Sequence, residues 1–268
     1  MKKMRKKRNV LGTKHKQSKI VSLCEMPLSE VASFLSDKKS KTDHDELLIG
    51  SEFCFDKFSD SFAFELKTVL KEAKKQNKKV IFVFPILPQR HLDCFKRMVQ
   101  CLADSDTDGI AVNDFGALSY IKKQLPNMPI VLGRLWFKSP RDFLAESNNS
   151  NRFPFEVLDC LKTFDIKRIF VDTYICNPQL QGIEVCVHSS TYLSSSMSCE
   201  YKQTKKHASH TVMGKCMQEC FSQFAKLSQH KVIRLGNAVL FAEEKSLSTK
   251  GIVDCVVNQL IIKAGDDI

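Results

Sequence analysis

Apolar positions along the chain follow two spacings, one typical of strands and one typical of helices. Short, nearly continuous apolar runs such as residues 79–85 indicate strands that are covered on both faces. Between these runs, apolar residues recur at the spacing of one helix face. The predicted strands are 19–23, 47–50, 79–85, 109–112, 129–133, 167–172 and 183–187. The predicted helices are 27–35, 62–73, 90–103, 114–123 and 154–163.

The pattern becomes less regular after residue 188. Residues 189–212 are rich in Ser, Lys and His, which predicts an irregular excursion. Residues 213–227 have helical spacing, and residues 232–241 predict a small hairpin around Gly236 and Asn237. A last apolar stretch covers 252–262.

Strands that alternate with helices predict a parallel sheet. Five or more such repeats favour a closed or nearly closed barrel. We therefore predict one α/β, (β/α) barrel-like domain at 18–268. Chemistry in such barrels lies at the carboxyl ends of the strands. The segments to inspect there are Cys54, Pro85, Asn113-Asp114, Arg134 and 188–212.

The positive charge is concentrated at the start of the chain. The net charge is +11, and residues 1–20 hold nine of the 41 basic residues and no acidic one. The rest is nearly balanced, so the charge says little about the folded part. Residues 1–17 are predicted to be a disordered basic tail. Such a tail is suited to contacts with RNA phosphates or with an anionic membrane.

Composition narrows the class of protein. The chain has 43% apolar and 26% charged residues, a composition that is typical of globular proteins. No apolar run approaches the ~20 residues that span a bilayer, and no apolar core follows the basic start. We therefore expect a cytoplasmic protein that is not an integral membrane protein. Eleven cysteines, an odd number, argue against a complete disulfide framework.

Four cysteines form a candidate metal constellation. Cys216 and Cys220 lie four apart on the predicted helix, so both thiols point from one face. Together with Cys199 and Cys54 they could hold an iron–sulfur cluster or a tetrahedral zinc. A purely local zinc site would use His207, His210, Cys216 and Cys220 instead. Cys24 is left unassigned, and buried structural thiols are predicted at Cys94, Cys101, Cys160, Cys176, Cys186 and Cys255.

Several segments, in order, resemble the collagenase-like peptidase family U32. They are 19–27, 47–54, 112–118, 131–134, the cysteines at 199, 216 and 220, and 251–254. The likeness is greatest to a short member from oxygen-independent ubiquinone biosynthesis. It implies a barrel-like fold and a [4Fe–4S] cluster on Cys54, Cys199, Cys216 and Cys220. It also implies a heterodimer with a second family member, which supports hydroxylation of a ubiquinone precursor without molecular oxygen.

Other candidate residues have both a functional and a structural interpretation. His188 lies near Ser189, Ser190 and 194–196, but clustering in sequence does not define a catalytic triad, so peptidase activity is not expected. Asn113 and Arg134 could contact substrate or orient ligands, whereas Asp114 is favoured as a helix cap. Trp136 and Phe137 could line a pocket or pack in the core.

Three hypotheses for function follow from the sequence and the resemblance. The first is an iron–sulfur subunit of an oxygen-independent hydroxylase. The second is a relative from the RNA-hydroxylation branch of the same family that contacts RNA through residues 1–17. The third is a non-catalytic zinc or scaffold protein.

Overall fold

A computed structural model describes most of the first two thirds of the chain and short strands beyond. The described residues are 19–24, 26–36, 44–58, 61–137, 155–172, 180 and 182–188, with the backbone of strands at 191–196, 206–207, 210–211, 225–227, 232–235, 238–242 and 255–261. The basic segment 1–17 lies outside them, as do Cys176, Cys199, Cys216 and Cys220.

Fourteen strands, five α-helices and three short 3₁₀ helices (Phe55–Lys57, Gln89–His91 and Arg134–Phe137) are present in the described residues. The strands are β1 (Lys19–Ser22), β2 (His44–Gly50), β3 (Lys79–Val83), β4 (Gly109–Val112), β5 (Ile130–Leu132), β6 (Arg168–Val171), β7 (Glu184–His188), β8 (Thr191–Ser196), β9 (Lys206–His207), β10 (His210–Thr211), β11 (Ala225–Leu227), β12 (Val232–Leu235), β13 (Ala238–Ala242) and β14 (Cys255–Ile261). The helices are α1 (Leu28–Ser36), α2 (Phe62–Lys75), α3 (Leu92–Ala103), α4 (Phe115–Gln124) and α5 (Phe155–Thr163).

Seven parallel strands, β1 to β7, lie side by side in chain order. They curl until β14 closes the barrel by pairing with both β1 and β7. The predicted α/β barrel-like fold is therefore confirmed. The closing strand is antiparallel to both neighbours, which the apolar pattern of 252–262 did not predict.

Two predictions for the segment after β7 are wrong. Residues 189–212 are not wholly irregular, because they contain β8 and the β9–β10 ladder. The end of the predicted helix 213–227 is instead β11, which pairs with β12. In both places, hydrogen bonding between paired strands outweighs the local spacing. The predicted hairpin is confirmed as β12 and β13, which complete a sheet in the order β11–β12–β13–β8.

Side-chain alternation along the strands builds two apolar layers. In β1 to β7, one face of each strand fills the barrel interior, and the other packs against the helices. The interior cluster consists of Ile20, Leu48, Ile81, Val83, Ala111, Val131, Phe170 and Cys186. The outer layer is larger and includes the buried faces of all five helices. Of the predicted structural thiols, Cys101 and Cys186 are buried, and Cys94 and Cys160 are partly buried.

The carboxyl ends of β1 to β7 form one rim, which we call the carboxyl-terminal mouth. The chain leaves this mouth after His188, at the end of β7. It returns there as well, because β14 begins opposite the end of β1, where Cys255 pairs with Ser22. Within β14, Val257 pairs with His188. Residues 189–254 therefore start and finish at the carboxyl-terminal mouth.

Within the described segments, no helix has both the length and the apolar character that crossing a membrane requires.

Candidate functional site

Polar side chains converge at the carboxyl-terminal mouth. Glu52 follows β2, Arg134 follows β5, Asp172 follows β6, and His188 ends β7. Glu52, Arg134 and His188 are buried, and the Asp172 side chain is only 17% exposed. Buried charges persist in proteins when they are paired and hydrogen-bonded, so the pairing of these groups decides what the mouth can do.

Arg134 is the centre of this cluster. Its Nη2 donates to Oε2 of Glu52 at 2.5 Å, and its Nη1 donates to Oδ1 of Asp172 at 3.1 Å. The guanidinium carbon also lies 5.1 Å from the centre of the Phe53 ring, within cation–π range. One buried cation thus ties together the loops that follow β2, β5 and β6.

Asn113 and Asp114 hold the neighbouring loops in place. The Asn113 amide donates to the carbonyl of Phe84, and its oxygen accepts from the backbone N–H of Leu135. A side chain at Gly133 would collide with this amide. Asp114 accepts from Ala117 N–H, so its predicted role as the cap of α4 is confirmed.

Further contacts give these two residues and their neighbours a structural role. Asp114 also accepts from the N–H of Leu87, which fixes the loop after β3. Trp136 donates its indole N–H to the carbonyl of Val112 at 2.8 Å. Trp136 and Phe137 are partly buried against the core cluster, which agrees with the packing interpretation.

His188 has unusual surroundings for a histidine. It is fully buried, and neither ring nitrogen has a hydrogen-bond partner in the described part of the chain. Its Nε2 lies 3.6 Å from Oε1 of Glu52, and its ring meets Phe170 edge to face at 5.8 Å. Burial and, secondarily, the charge of Arg134 lower the pKa of His188 well below its usual range. The imidazole is therefore neutral.

Cys54 is the member of the four-cysteine set that the structure describes. It is buried at the mouth, and its backbone N–H donates to Oγ of Ser51 at 3.0 Å. Gly50, just before this loop, has φ of +125°, and a side chain there would run into the carbonyl of Val83. The sharp turn out of β2 therefore depends on glycine, and it leads into the loop that contains both Glu52 and Cys54.

The structure leaves the rest of the predicted ligand set untested. Cys199, Cys216 and Cys220 lie outside the described residues, although all three belong to 189–254. His207 and His210 of the alternative zinc set are register partners in the β9–β10 ladder. Among the residues described with side chains, no group of three or more His, Cys, Asp or Glu is placed to hold a metal ion.

The opposite end of the barrel contains a second cluster that is centred on an arginine. There, Arg168 bonds Glu46 at 2.7 Å and Glu184 at 2.8 Å. Beside it lies a cavity of about 490 Å³, also lined by Lys79 and Lys122. Both glutamates lie within strands, and the cavity is at the end of the barrel remote from Cys54. We therefore assign this end of the barrel a structural role.

The family comparison matches the segment that builds the mouth. Residues 50–133, from the end of β2 to the turn after β5, match the model of Peptidase family U32. The match supports the U32 family. No curated protein and no solved structure matches the chain.

The U32 match covers part of the predicted site. Glu52, Cys54, Asn113 and Asp114 lie inside it, and Arg134 follows it directly. Despite the peptidase name, no hydroxyl or thiol of the described residues hydrogen-bonds His188. The described residues therefore show no nucleophile paired with this histidine.

Sequence reasoning missed two features of the mouth. It did not single out Asp172, and it considered His188 only as the first residue of 188–212 and beside the serines, not as a buried residue of the mouth. The available signal was position, because both residues stand at the carboxyl end of a buried strand. The pairing with Arg134 has no local signal, because 82 residues separate it from Glu52.

Proposed function

We propose that this U32-type protein is a UbiV-like subunit that carries a [4Fe–4S] cluster on Cys54, Cys199, Cys216 and Cys220. Working with a UbiU-like partner, it would support the oxygen-independent hydroxylation of a ubiquinone precursor. The observation that carries the proposal is the position of Cys54, a buried thiol at the carboxyl-terminal mouth. Residues 189–254, which contain the other three cysteines, begin and end at the same mouth.

The donor chemistry fits such a cluster. Thiolates are the usual ligands of iron–sulfur clusters, and four of them complete a [4Fe–4S] site. A cluster of this kind supplies one-electron transfer when bound. Cys54 would be held in place by the turn at Gly50 and by the hydrogen bond of its N–H to Ser51.

Residues of the carboxyl-terminal mouth form the surroundings of the proposed cluster site. Arg134 fixes Glu52, and therefore the loop that leads to Cys54, against the ends of β5 and β6. Phe53 and Phe170 contribute apolar surface next to these polar groups. Such an environment, buried and ion-paired, would exclude water from the place where a redox group would stand.

Metal analysis tests the proposal. The full chain is purified without oxygen, and iron, sulfide and zinc are measured together with the visible spectrum. We expect about four iron and four sulfide per chain. Cys54→Ala should lose most of both. Cys101→Ala is the matched control, because Cys101 is equally buried but donates its S–H to the carbonyl of Ala63 on α2.

Two outcomes would contradict the proposal. If Cys54→Ala keeps its full iron and an unchanged spectrum, Cys54 is not a ligand. Zinc without sulfide would instead favour the zinc or scaffold hypothesis. The register pairing of His207 with His210 gives that alternative a structural basis.

The RNA hypothesis needs a separate measurement, since residues 1–17 lie outside the described residues. Filter binding to total RNA over a salt series, with and without residues 1–17, tests it. Binding that falls steeply with salt and disappears with the tail would support it. The same series with anionic vesicles tests the membrane contact.

A further inference from the structure

The cavity at the amino-terminal end of the barrel, opposite the mouth, contains two lysines whose charges have no described partner. Its volume of about 490 Å³ lies within the range of ligand pockets. Lys79 and Lys122 line it without an ion pair or hydrogen bond to any described residue. The four carboxylates of the wall each have a partner: they are Glu46 and Glu184 with Arg168, Asp165 with Lys167, and Asp108 with the N–H of Val80.

The two lysines favour an acidic occupant. An ammonium group offers three hydrogen-bond donors and no acceptor, so a carboxylate is its natural partner. Because the carboxylates of the wall are already bonded, an acidic group that pairs with Lys79 and Lys122 has to come from another part of the chain or from another molecule.

The closing strand β14 ends at this cavity. Its last residue, Ile261, is the register partner of Glu184, which lines the cavity. On the other side of β14, β1 begins at Lys19, opposite Asn258. Among the described strands, residues 259–261 therefore pair with β7 alone, and the end of β14 has one free edge.

The cavity wall leads directly from this strand end to the first of the two lysines. Glu184 bonds Arg168, and Arg168 bonds Glu46 on the far side of the barrel. Glu46 is in turn the register partner of Lys79. Chain that continues beyond β14 therefore starts within a few side chains of Lys79.

The residues that continue beyond β14 have the complementary charge. Residues 262–268, which lie outside the described residues, have the sequence Ile-Lys-Ala-Gly-Asp-Asp-Ile. The five residues from 262 to Asp266 can extend up to about 17 Å, which is enough to cross a cavity of this volume. Residues 1–18 precede β1 at the same end of the barrel, but they are basic and would be repelled by the two lysines.

We propose that residues 262–268 dock in this cavity, where Asp266 and Asp267 pair with Lys79 and Lys122. The docked segment anchors the free end of β14, the strand that closes the barrel between β1 and β7. This role agrees with the structural role of the Arg168 end. The inference goes beyond the proposed function and does not depend on the cluster.

Carbodiimide coupling of the full-length protein tests the contact directly. The reagent joins a carboxylate to a neighbouring amine as an amide, and the carbodiimide takes up the water that is lost and becomes a urea. Mass spectrometry of the peptides then locates the bond. At low protein concentration we expect amides from Asp266 or Asp267 to Lys79 or Lys122.

Two controls belong to the same digest. The exposed pair of Glu72 and Lys75, whose charged atoms lie 3.2 Å apart, should couple and shows that the reagent has acted. Lys123 is exposed beside Lys122 but does not line the cavity, so it should not couple to Asp266 or Asp267.

Hydrogen exchange measures the docking without a reagent. Replacing both Lys79 and Lys122 with Met should make the amides of 262–268 exchange about tenfold faster, which is the upper effect of two partly exposed ion pairs. Replacing both Lys123 and Lys162 with Met is the matched control, because it removes two exposed charges that do not line the cavity. If Lys79→Met disturbs β3, Lys122→Met alone should still give about a threefold change.

Several results would overturn the inference. Asp266 and Asp267 could couple only to other lysines, or to none while Glu72 couples to Lys75. Exchange of 262–268 could be the same in the cavity double variant as in wild type. Amides between Asp108 or Asp165 and the lysines of 1–18 would assign the cavity to that segment, and coupled species of twice the mass would assign it to a second copy.

Discussion

Replacing Arg134 tests whether the mouth depends on one buried cation. The Arg134 side chain is 2% exposed and that of Glu52 is 5% exposed, so their ion pair is almost fully removed from water. Arg134→Met keeps much of the side-chain volume but leaves two carboxylates beside an apolar group. Breaking a buried ion pair from one side typically costs about 3–5 kcal/mol. We expect a loss of unfolding free energy in that range.

A double-mutant cycle separates the ion pair from other effects of the substitution. Glu52→Gln removes the opposing charge, so the double variant no longer buries an unpaired Glu52 carboxylate. The two changes should therefore cost less together than separately, by about 1.5–3 kcal/mol. Arg90→Met is the control, because Arg90 is 49% exposed and its pair with Asp56 spans 3.4 Å. Exposed pairs of this kind are worth about 0–1 kcal/mol.

The assay is urea unfolding, followed by circular dichroism and by fluorescence. Trp136 is the single tryptophan and lies two residues from Arg134, so its emission reports on the mouth directly. The slope of unfolding free energy against urea concentration should stay the same, and the midpoint of the unfolding transition should move to lower urea concentration. If Arg134→Met costs no more than Arg90→Met, or if the cycle is additive, the mouth is not organised by this cation.

Two further predictions concern the backbone and the pH dependence of the same region. Gly50→Ala should lower the unfolding free energy, measured in urea, by several kcal/mol. Gly182→Ala is the control, because Gly182 also has positive φ but no atom lies within 4 Å of the new side chain, and it should cost only about 1–2 kcal/mol. Similar costs for the two variants would show that the clash with Val83 does not determine the effect. The lowered pKa of His188 means that the unfolded chain binds a proton that the folded one excludes, so stability is lost as pH falls below the unfolded pKa of 6.5. His188→Gln should reduce the slope of unfolding free energy against pH by up to about 1.4 kcal/mol per pH unit between neutral and mildly acidic pH. The unfolding free energies come from urea titrations at several pH values, and identical slopes for the two proteins would contradict the prediction.

The barrel was predictable because its signals are local. Residues 79–85 and 109–112 are apolar throughout, and strands covered on both faces need that composition. Asp114 stands where a short acceptor can cap α4, so its role could be assigned from its position. The direction of β14 was not predictable, because an apolar run has the same pattern in a parallel and an antiparallel neighbour.

The site was less predictable because its contacts are distant in sequence. Cys54 and Arg134 could be placed at the mouth from the ends of their strands. The ion pairs of Arg134 could not, since Glu52 and Asp172 meet it only after the sheet has curled. Residues 225–227 show a different limit, because pairing with the next strand, β12, makes them a strand despite their helical spacing.

The two ends of the barrel carry the same set of charges, but the charged residues occupy different positions relative to the strands. At each end one arginine bonds two carboxylates, and the sum of formal charges is −1. Glu46, Arg168 and Glu184 all lie within strands, where the hydrogen-bonded ladder already fixes their backbone. In the Arg134 cluster all three residues follow strands, so the ion pairs themselves hold the loops. Loops positioned on a rigid scaffold are where binding and catalytic residues concentrate. Position, more than charge, therefore supports our proposal that the Arg134 end, with Cys54 and His188 beside it, is the functional end of this barrel.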